Sequence, residues 1–415
     1  MSVILIKNIK LLVNAREDYA LLKGQALSNL PQIENAYLLI EDDTIVKYGE
    51  MYDSSYPTAE PKEVIDATGK IVMPAWCDSH THIVFSGSRE QEFVYKIKGM
   101  GYAEIAAKGG GILNSAAKVA AASEEELYTQ AKKRLDEIVA QGTGAVEIKS
   151  GYGLSVESEL KMLRVIKKLR ENSKVIIRST FLGAHAIPSL YKENREDYIQ
   201  LIIEEMLPKI AAEELADYID VFCEKGFFTP EETIYICNEG KKYGLLPKIH
   251  ANQLNISGGV QAGVAVNAIS VDHLETVSQD EIDCLKNTDT IATLLPNPSL
   301  YLKMQYAPAR QMLNDGLAIA LASDYNPGSS PSGNMNLVVS LACMQMKLLP
   351  EEAINAATIN GAYAMGIQKE VGTISIGKKA NIIITKEIPS LTFLPYAFGS
   401  NLIDKVMISG EFVNN

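Results

Sequence analysis

The chain has 415 residues, with 39 Lys or Arg against 51 Asp or Glu, which gives a formal net charge of −12 at pH 7. This length allows a sizeable buried core, and the acidic balance argues against a nucleic-acid-binding surface. With 47% hydrophobic residues and no apolar run near the roughly 18 residues of a membrane helix, the composition is typical of a soluble globular protein that spans no membrane.

Both ends of the chain contain short strand candidates separated by turn residues. Residues 1–70 contain SVILIKNIKLLV, AYLLIEDDTIVKYGE and EVIDATG, and residues 366–415 contain GTISIGKKANIIITK and DKVMISGEFV. Lys7 and Lys10 interrupt the first apolar run and no small-residue cleavage site follows, so we expect no signal peptide. Because neither end has enough strands for a stable sheet of its own, the two ends are predicted to form one small β-sandwich domain together.

The middle of the chain, residues 71–365, alternates apolar runs with amphipathic helical segments. Near-continuous apolar runs of this kind predict parallel strands that are covered on both faces. Helix start signals of the S/T-x-x-E type begin at Ser123, Thr229 and Ser278, and Pro230 follows the second of them. The strand candidates are residues 71–80, 144–150, 174–185, 218–224, 246–252, 268–275, 290–296 and 318–326.

These strand–helix units predict an α/β fold. Eight units within about 280 residues favour a closed (β/α)8 TIM barrel as the catalytic domain. The alternative is an open doubly wound sheet, which usually gathers its ligand residues at one switch point. Here polar residues recur at the carboxyl ends of five strands, and these ends form the active face of a barrel, so the barrel is the preferred prediction.

All five histidines fall at or just after predicted strand ends. His80 and His82 form an H-x-H, in which alternate side chains of an extended strand point the same way and can hold one ion. His250 offers a third nitrogen from the fifth strand, and Asp324 offers a carboxylate from the eighth. A lone histidine is usually a satisfied imidazole, but this set predicts a catalytic zinc or iron site with a position left for water. The other two histidines are His185 and His273.

The five cysteines predict reduced thiols. Their number is odd, they lie far apart, and no CxxC pair occurs, which fits neither a disulfide framework nor a cysteine zinc site. We therefore expect a cytoplasmic location. The cysteines are Cys77, Cys223, Cys237, Cys284 and Cys343.

The segment MPAWCDSHTH resembles the first-strand metal motif of the amidohydrolase superfamily. Over essentially the whole chain the sequence is similar to the members that hydrolyse the cyclic amide 4-imidazolone-5-propanoate to N-formimidoyl-L-glutamate in histidine degradation. The resemblance implies one zinc or iron ion per chain on His80, His82, His250 and Asp324, and a homodimer. The narrower match rests on SHTHIVFSGSREQEF, GGGI, EIKSGYGL, TFLGAH and ALASDYNPGSSPS.

The resemblance also implies a set of substrate contacts. The guanidinium of Arg89 has the fork geometry to hold the propanoate with two hydrogen bonds. His185 can donate to the ring carbonyl or the carboxylate, and the glycines near residues 326–329 would let backbone amides approach the ligand. The implied contacts are Arg89, Tyr152, His185, Gln253, Asn326, Gly328 and Ser329.

The expected mechanism is metal-assisted hydrolysis. A metal ion lowers the pKa of its bound water to about 7, so a metal-bound hydroxide is the expected nucleophile. Asp324 can accept the proton and return it to the departing ring nitrogen, and His273 can steady the oxyanion or relay the proton.

Two alternative functions stay open at this point. Deaminase-like relatives carry HxxE at the fifth strand, whereas this chain has His250-Ala-Asn-Gln253, and a neutral amide cannot shuttle protons. The first alternative is another amidohydrolase of hydantoinase, dihydroorotase or deaminase type, acting on a related cyclic amide or amino-heterocycle. The second is a metal-binding barrel without catalysis, which Asp324 and the strand-end imidazoles disfavour. Glu224 is the only obvious bridge for a second metal ion.

Overall fold

Two eight-stranded sheets organise the chain in a computed structural model that describes residues 2–57, 61–100, 104 and 110–413. The first Gly of the GGGI motif, Gly109, lies outside the described residues. One sheet is a barrel, with strands β6 Trp76–Thr81, β7 Thr143–Lys149, β8 Ile176–Ala184, β9 Tyr218–Cys223, β10 Leu246–Ala251, β11 Ser270–His273, β12 Ile291–Leu294 and β13 Ile319–Leu321. The other, the end sheet, has strands β1 Val3–Val13, β2 Gln32–Glu41, β3 Thr44–Glu50, β4 Glu63–Asp66, β5 Lys70–Pro74, β14 Ile382–Glu387, β15 Ile403–Ile408 and β16 Glu411–Phe412.

The barrel strands are parallel and pair in chain order from β6 to β13. Hydrogen bonds between the last and first strand ends bring the sheet round on itself: Asp324 N donates to His80 O at 2.9 Å, and His82 N donates to Tyr325 O at 2.9 Å. The predicted (β/α)8 barrel is therefore confirmed, and the open doubly wound sheet was the wrong alternative. The closure also places His80, His82 and Asp324 side by side.

The end sheet joins the two ends of the chain. Its order is β16-β15-β14-β5-β1-β2-β3, with β4 beside β1. Strand β14 pairs antiparallel with β5, where Ile382 lies opposite Pro74, so the C-terminal strands extend the N-terminal ones. This confirms the predicted β domain built from both ends, while the domain boundaries at residues 70 and 365 remain a prediction.

The predicted first strand, residues 71–80, is two strands that belong to different sheets. Ala75 N donates to Asn381 O in the end sheet, and Trp76 N donates to Gly142 O beside the barrel, both at 2.9 Å. Residues 71–80 are all buried, whichever sheet they belong to, so burial gives no signal for the division.

Helices pack around the barrel and begin where the sequence predicts. The capping boxes of Ser123, Thr229 and Ser278 are all formed. Within the described ranges, no helix is both long and apolar enough to cross a bilayer. The helices are α1 Glu90–Ile97, α2 Ile112–Ala121, α3 Glu124–Ala140, α4 Val156–Glu171, α5 Arg195–Gln200, a π-helical turn Leu201–Met206, α6 Leu207–Ala212, α7 Pro230–Lys241, α8 Gly259–Ala265, α9 Gln279–Lys286, α10 Pro296–Leu302, α11 Ala309–Asn314, α12 Met335–Met346, α13 Pro350–Ala357, α14 Ile359–Ala364 and α15 Phe393–Tyr396, with short 3-10 turns at Gly24–Ser28 and Ser189–Tyr191.

Candidate active site

A cavity of about 700 Å³ opens at the carboxyl ends of the barrel strands. His82, His185, His250, His273 and Asp324 line it, whereas the side chain of His80 is completely buried beside them. Pockets of this size bury a small organic ligand. The five histidines therefore converge on one site, as their strand-end positions predicted.

Three imidazoles lie close enough to share one ion. Ring nitrogens of His80, His82 and His250 all lie within 4.8 Å of one another. The Nε2 atoms of His80 and His82 are 3.3 Å apart, and the Oδ1 atom of Asp324 is 3.6 Å from the first and 3.5 Å from the second. The structure thus brings together the four residues that the sequence suggested as ligands.

Two buried carboxylates orient these rings from below. The Nδ1 atom of His80 lies 2.7 Å from Oδ2 of Asp272, and the Nδ1 atom of His250 lies 2.9 Å from Oδ2 of Asp220. Because a carboxylate only accepts, each Nδ1 carries the hydrogen, and each Nε2 keeps a lone pair for the cavity side. Burial by itself raises the pKa of Asp220, but His250 and Lys149 outweigh it and hold that pKa well below its usual range.

The donor set fits a single zinc or iron ion. Burial, with added repulsion from neighbouring cationic groups, holds the pKa of His80 and His82 well below the usual range, so both imidazoles are neutral. Neutral imidazole nitrogens with one carboxylate oxygen are ligands that zinc and iron accept. Ligand atoms about 2.0–2.1 Å from a shared tetrahedral ion lie roughly 3.3 Å apart. The spacing of the His80 and His82 Nε2 atoms agrees with that value.

The backbone of His273 and Asp324 adopts strained φ angles where their side chains enter the cavity. Their φ angles are 88° and 51°, and Leu274 has a φ of 65°, in the left-handed region that side chains other than glycine rarely adopt. The Nδ1 atom of His273 is 3.4 Å from Oε1 of Glu275. Burial alone lowers the pKa of His273, but the Glu275 carboxylate raises it overall. Burial raises the pKa of Asp324 to about 7, against the opposing effect of His273.

Arg89 lines the cavity but is already engaged by a neighbouring carboxylate. Its Nε donates to Oε1 of Glu92 at 2.9 Å, and its Nη2 donates to Oε2 at 2.6 Å. These two bonds use the Nε and Nη2 edge of the guanidinium, and the two-bonded grip on a propanoate stays a prediction for the edge formed by Nη1 and Nη2. The Nη1 atom lies against Gly328. Lys96 adds a second cation to the same wall, where its Nζ donates to Gly328 O at 3.0 Å.

The loop after β13 is organised by Asn326. Its Oδ1 accepts from the backbone N–H groups of Gly328 and Ser329, both at 2.8 Å, and its Nδ2 donates to Asp324 O and to Ser329 Oγ, also at 2.8 Å. The expectation that these backbone amides face the ligand was wrong, because the Asn326 side chain already uses them. Asn326, Gly328 and Ser329 nevertheless line the cavity.

His185 and Tyr152 form a second wall beside the imidazole cluster. The ring of His185 stacks on that of His82, with centroids 5.6 Å apart and planes 15° apart. Burial, then the neighbouring His250, lowers the pKa of His185 to about 3, so it is neutral. Its Nδ1 donates to Gly151 O at 2.9 Å. Nε2 is consequently an acceptor, and the prediction that His185 donates to the substrate was wrong.

Gln253 lines the cavity, and Glu224 supports the loop behind it. The Glu224 carboxylate accepts from the backbone N–H groups of Leu254 at 2.9 Å and Asn255 at 3.3 Å. These contacts assign Glu224 to holding the loop after β10 and leave it no evident part in bridging a second metal ion.

Sequence reasoning missed several residues that shape the site. Glu92 and Lys96 lie on α1, and Asp220 and Asp272 lie inside the barrel strands. A signal existed for the two aspartates, because an ionisable residue within an otherwise apolar strand is rarely buried without a partner. No comparable signal marks the two residues on α1.

The chain is similar to known proteins over nearly its whole length. The sequence profile of the amidohydrolase family matches residues 71–413. The imidazolonepropionase of Flavobacterium johnsoniae is 57% identical over 410 residues, covering 99% of this chain and 99% of that protein. The imidazolonepropionase of Christiangramia forsetii is 57% identical over 411 residues, covering 99% and 100%.

Solved structures share the fold at much lower identity. The guanine deaminase from C. acetobutylicum superposes with a TM-score of 0.72 at 17% identity, covering 100% of both chains. At this identity the likeness supports the arrangement of a barrel with an added β domain and says nothing of the substrate.

Proposed function

The chain belongs to the amidohydrolase family and to its imidazolonepropionase branch, and we propose that it opens the ring of 4-imidazolone-5-propanoate, a step of histidine degradation, by metal-dependent hydrolysis to N-formimidoyl-L-glutamate. The observation that carries this proposal is the convergence of three neutral imidazoles and Asp324 on the floor of a cavity whose outer wall bears the cations of Arg89 and Lys96 against the single carboxylate of Glu92. The floor suits a metal ion, and the wall suits the anionic tail of the substrate.

One zinc or iron ion would be held by His80, His82, His250 and Asp324. When bound, such an ion activates water for attack at neutral pH and polarises an amide carbonyl. The Nδ1–H bonds to Asp272 and Asp220 keep the rings of His80 and His250 turned towards the ion. Exclusion of water by the buried walls strengthens every charged contact within the site.

The substrate is oriented by charge at one end and by hydrogen bonds at the other. Arg89 and Lys96 attract the propanoate, with Glu92 fixing the guanidinium in place. The Nε2 atom of His185 accepts a ring N–H, and the amide of Gln253 can both donate to and accept from the heterocycle. The ring carbonyl then faces His273 and Asp324 at the floor.

Proton transfer is assigned to Asp324 and His273. The Asp324 carboxylate takes a proton from the attacking water and delivers it to the ring nitrogen as the C–N bond breaks. His273, with Nδ1 facing Glu275, presents its Nε2–H to the carbonyl oxygen as negative charge develops there. Gln253 takes no part in proton transfer, because its amide does not titrate.

The proposal is tested by following the loss of imidazolone propionate with and without a chelator while bound metal is measured in the same sample. We expect the rate to fall in proportion to the metal removed and to return when Zn²⁺ or Fe²⁺ is added back. Hydantoin, dihydroorotate and guanine serve as comparison substrates. Full activity in metal-free protein would contradict the metal role, and faster turnover of a comparison substrate would contradict the assigned substrate.

A Gly328→Ala variant tests the place of the substrate carboxylate. A Cβ at Gly328 would overlap Nη1 of Arg89 and displace the guanidinium from its position beside the cavity. Loss of one charge-assisted hydrogen bond costs about 1.5–3 kcal/mol, so KM is expected to rise roughly tenfold or more with a smaller change in kcat. Gly399→Ala is the matched control, because a Cβ there meets no atom within 4 Å. An unchanged KM for Gly328→Ala would place the carboxylate elsewhere.

The sequence similarity to imidazolonepropionases supports a homodimer and a cytoplasmic location as further parts of the proposal. Light scattering on the purified protein measures the first, and cell fractionation measures the second. A monomer at working concentration would remove the dimer from the proposal without affecting the chemistry.

A further inference from the structure

A cluster of five ionisable side chains fills the inside of the barrel beneath the imidazoles. Each of them is 0% exposed, and together three carboxylates and two ammonium groups give a net charge of −1. An unpaired buried charge strongly destabilises a fold. The ion pairs within this cluster therefore decide how much it affects the stability of the barrel. The barrel-interior cluster comprises Glu147, Lys149, Asp220, Lys248 and Asp272.

Lys149 is the member that contacts the carboxylates beneath the imidazoles. Its Nζ lies 2.8 Å from Oδ2 of Asp220 and 3.5 Å from Oδ2 of Asp272. These same two oxygen atoms accept the Nδ1–H groups of His250 and His80. One ammonium group therefore lies against both of the atoms that set the orientation of two imidazoles. Its third carboxylate contact, 2.6 Å to Oε1 of Glu147, completes its surroundings.

Lys248 is the second lysine of the cluster and is buried as completely as Lys149. Its partners differ from those of Lys149, so it serves as an internal comparison. Its Nζ pairs with Oε2 of Glu147 and donates to the backbone oxygens of Ser79 at 2.9 Å and Ala364 at 3.3 Å. Its distance to Oδ2 of Asp272 is 4.0 Å, at the limit of an ion pair. Lys248 therefore ties Glu147 to the barrel wall, whereas Lys149 ties the two aspartates together.

We propose that Lys149 is a positioning residue for the metal centre, which holds the Asp220 and Asp272 oxygens where they receive the Nδ1–H groups of His250 and His80. Without it, the Asp220 and Asp272 oxygens lose the ammonium group that contacts both of them, and the repulsion between these two carboxylates moves them away from the imidazoles. The two rings then lose the contact that points their Nε2 atoms at the ion. Loss of such outer partners weakens metal binding about 10–100-fold in known metal sites.

The inference rests on the metal site of the proposed function, and the test separates the two. The probe is Zn²⁺, and its dissociation constant is measured by competition with a chromophoric chelator in Lys149→Met, Lys248→Met and unaltered protein. We expect Lys149→Met to bind Zn²⁺ about 10–100-fold more weakly and Lys248→Met to bind it as the unaltered protein does. If the unaltered protein binds no Zn²⁺, the proposed function fails. If it binds Zn²⁺ and Lys149→Met binds equally well, only this inference fails.

A second variant distinguishes positioning from folding. Lys149→Met combined with Glu147→Gln restores the net charge of the barrel-interior cluster to −1 but does not restore the contact with either aspartate. We expect stability to urea to recover in this double variant relative to Lys149→Met, while Zn²⁺ affinity stays low. Recovery of affinity together with stability would overturn the inference, as would an equal loss of affinity in Lys248→Met. Failure of both Lys149 variants to fold would make its role structural and would also overturn it.

Discussion

A His273→Ala variant is expected to lower kcat for ring opening by about 10²–10³-fold while the protein keeps its metal. The physical reason is that His273 reaches the cavity floor but is not one of the four proposed ligands, so its removal should take away the proposed oxyanion donor and leave the other imidazoles in place. KM should change much less than kcat, because the interaction is made mainly in the transition state. Turnover and metal content are measured on the same preparation.

A Glu275→Gln variant tests the same role of His273 by a milder change, since it alters a contact of the ring and keeps the ring itself. The carboxylate lies 3.4 Å from Nδ1 of His273 and contributes by orienting that ring. We expect a smaller loss of kcat than for His273→Ala, with metal content again unchanged. If His273→Ala instead lost the metal, His273 would belong to the ligand set and its role as oxyanion donor would be withdrawn.

An Asp324→Asn variant is expected to reduce kcat by about 10²–10⁴-fold, the range for loss of a general acid–base group. Asparagine keeps the shape of aspartate and one oxygen atom near Nε2 of His80 and His82, but it cannot take a proton from water at neutral pH. The measurement is kcat at saturating substrate, repeated with excess Zn²⁺ in the assay. Circular dichroism checks that the barrel is still folded.

The assay with excess Zn²⁺ distinguishes a role of Asp324 in proton transfer from a role as a metal ligand alone. If added Zn²⁺ leaves kcat low when the site is full, the carboxylate moves protons in addition to holding the ion. If added Zn²⁺ restores kcat, Asp324 acts as a ligand only, and the proton path must pass through another group, for which His273 on the cavity floor is the candidate.

The sequence by itself determined the architecture and the place of the site. Near-continuous apolar runs and S/T-x-x-E helix starts predicted the barrel, because the side-chain period and the helix caps depend on residues that are neighbours along the chain. The H-x-H of His80 and His82 is a pattern of the same local kind. That all the histidines meet at one face followed from parallel strands, whose carboxyl ends share one edge.

Only the tertiary structure decided which partner each polar group finds. His80 meets Asp272 across 192 positions of sequence, and Lys149 meets Asp220 across 71. The engagement of Arg89 by Glu92, the acceptor role of His185 and the division of residues 71–80 between two sheets were likewise invisible in the sequence. Hydrogen bonds and ion pairs depend on distances of a few ångström between atoms that folding brings together, and no local pattern encodes those distances.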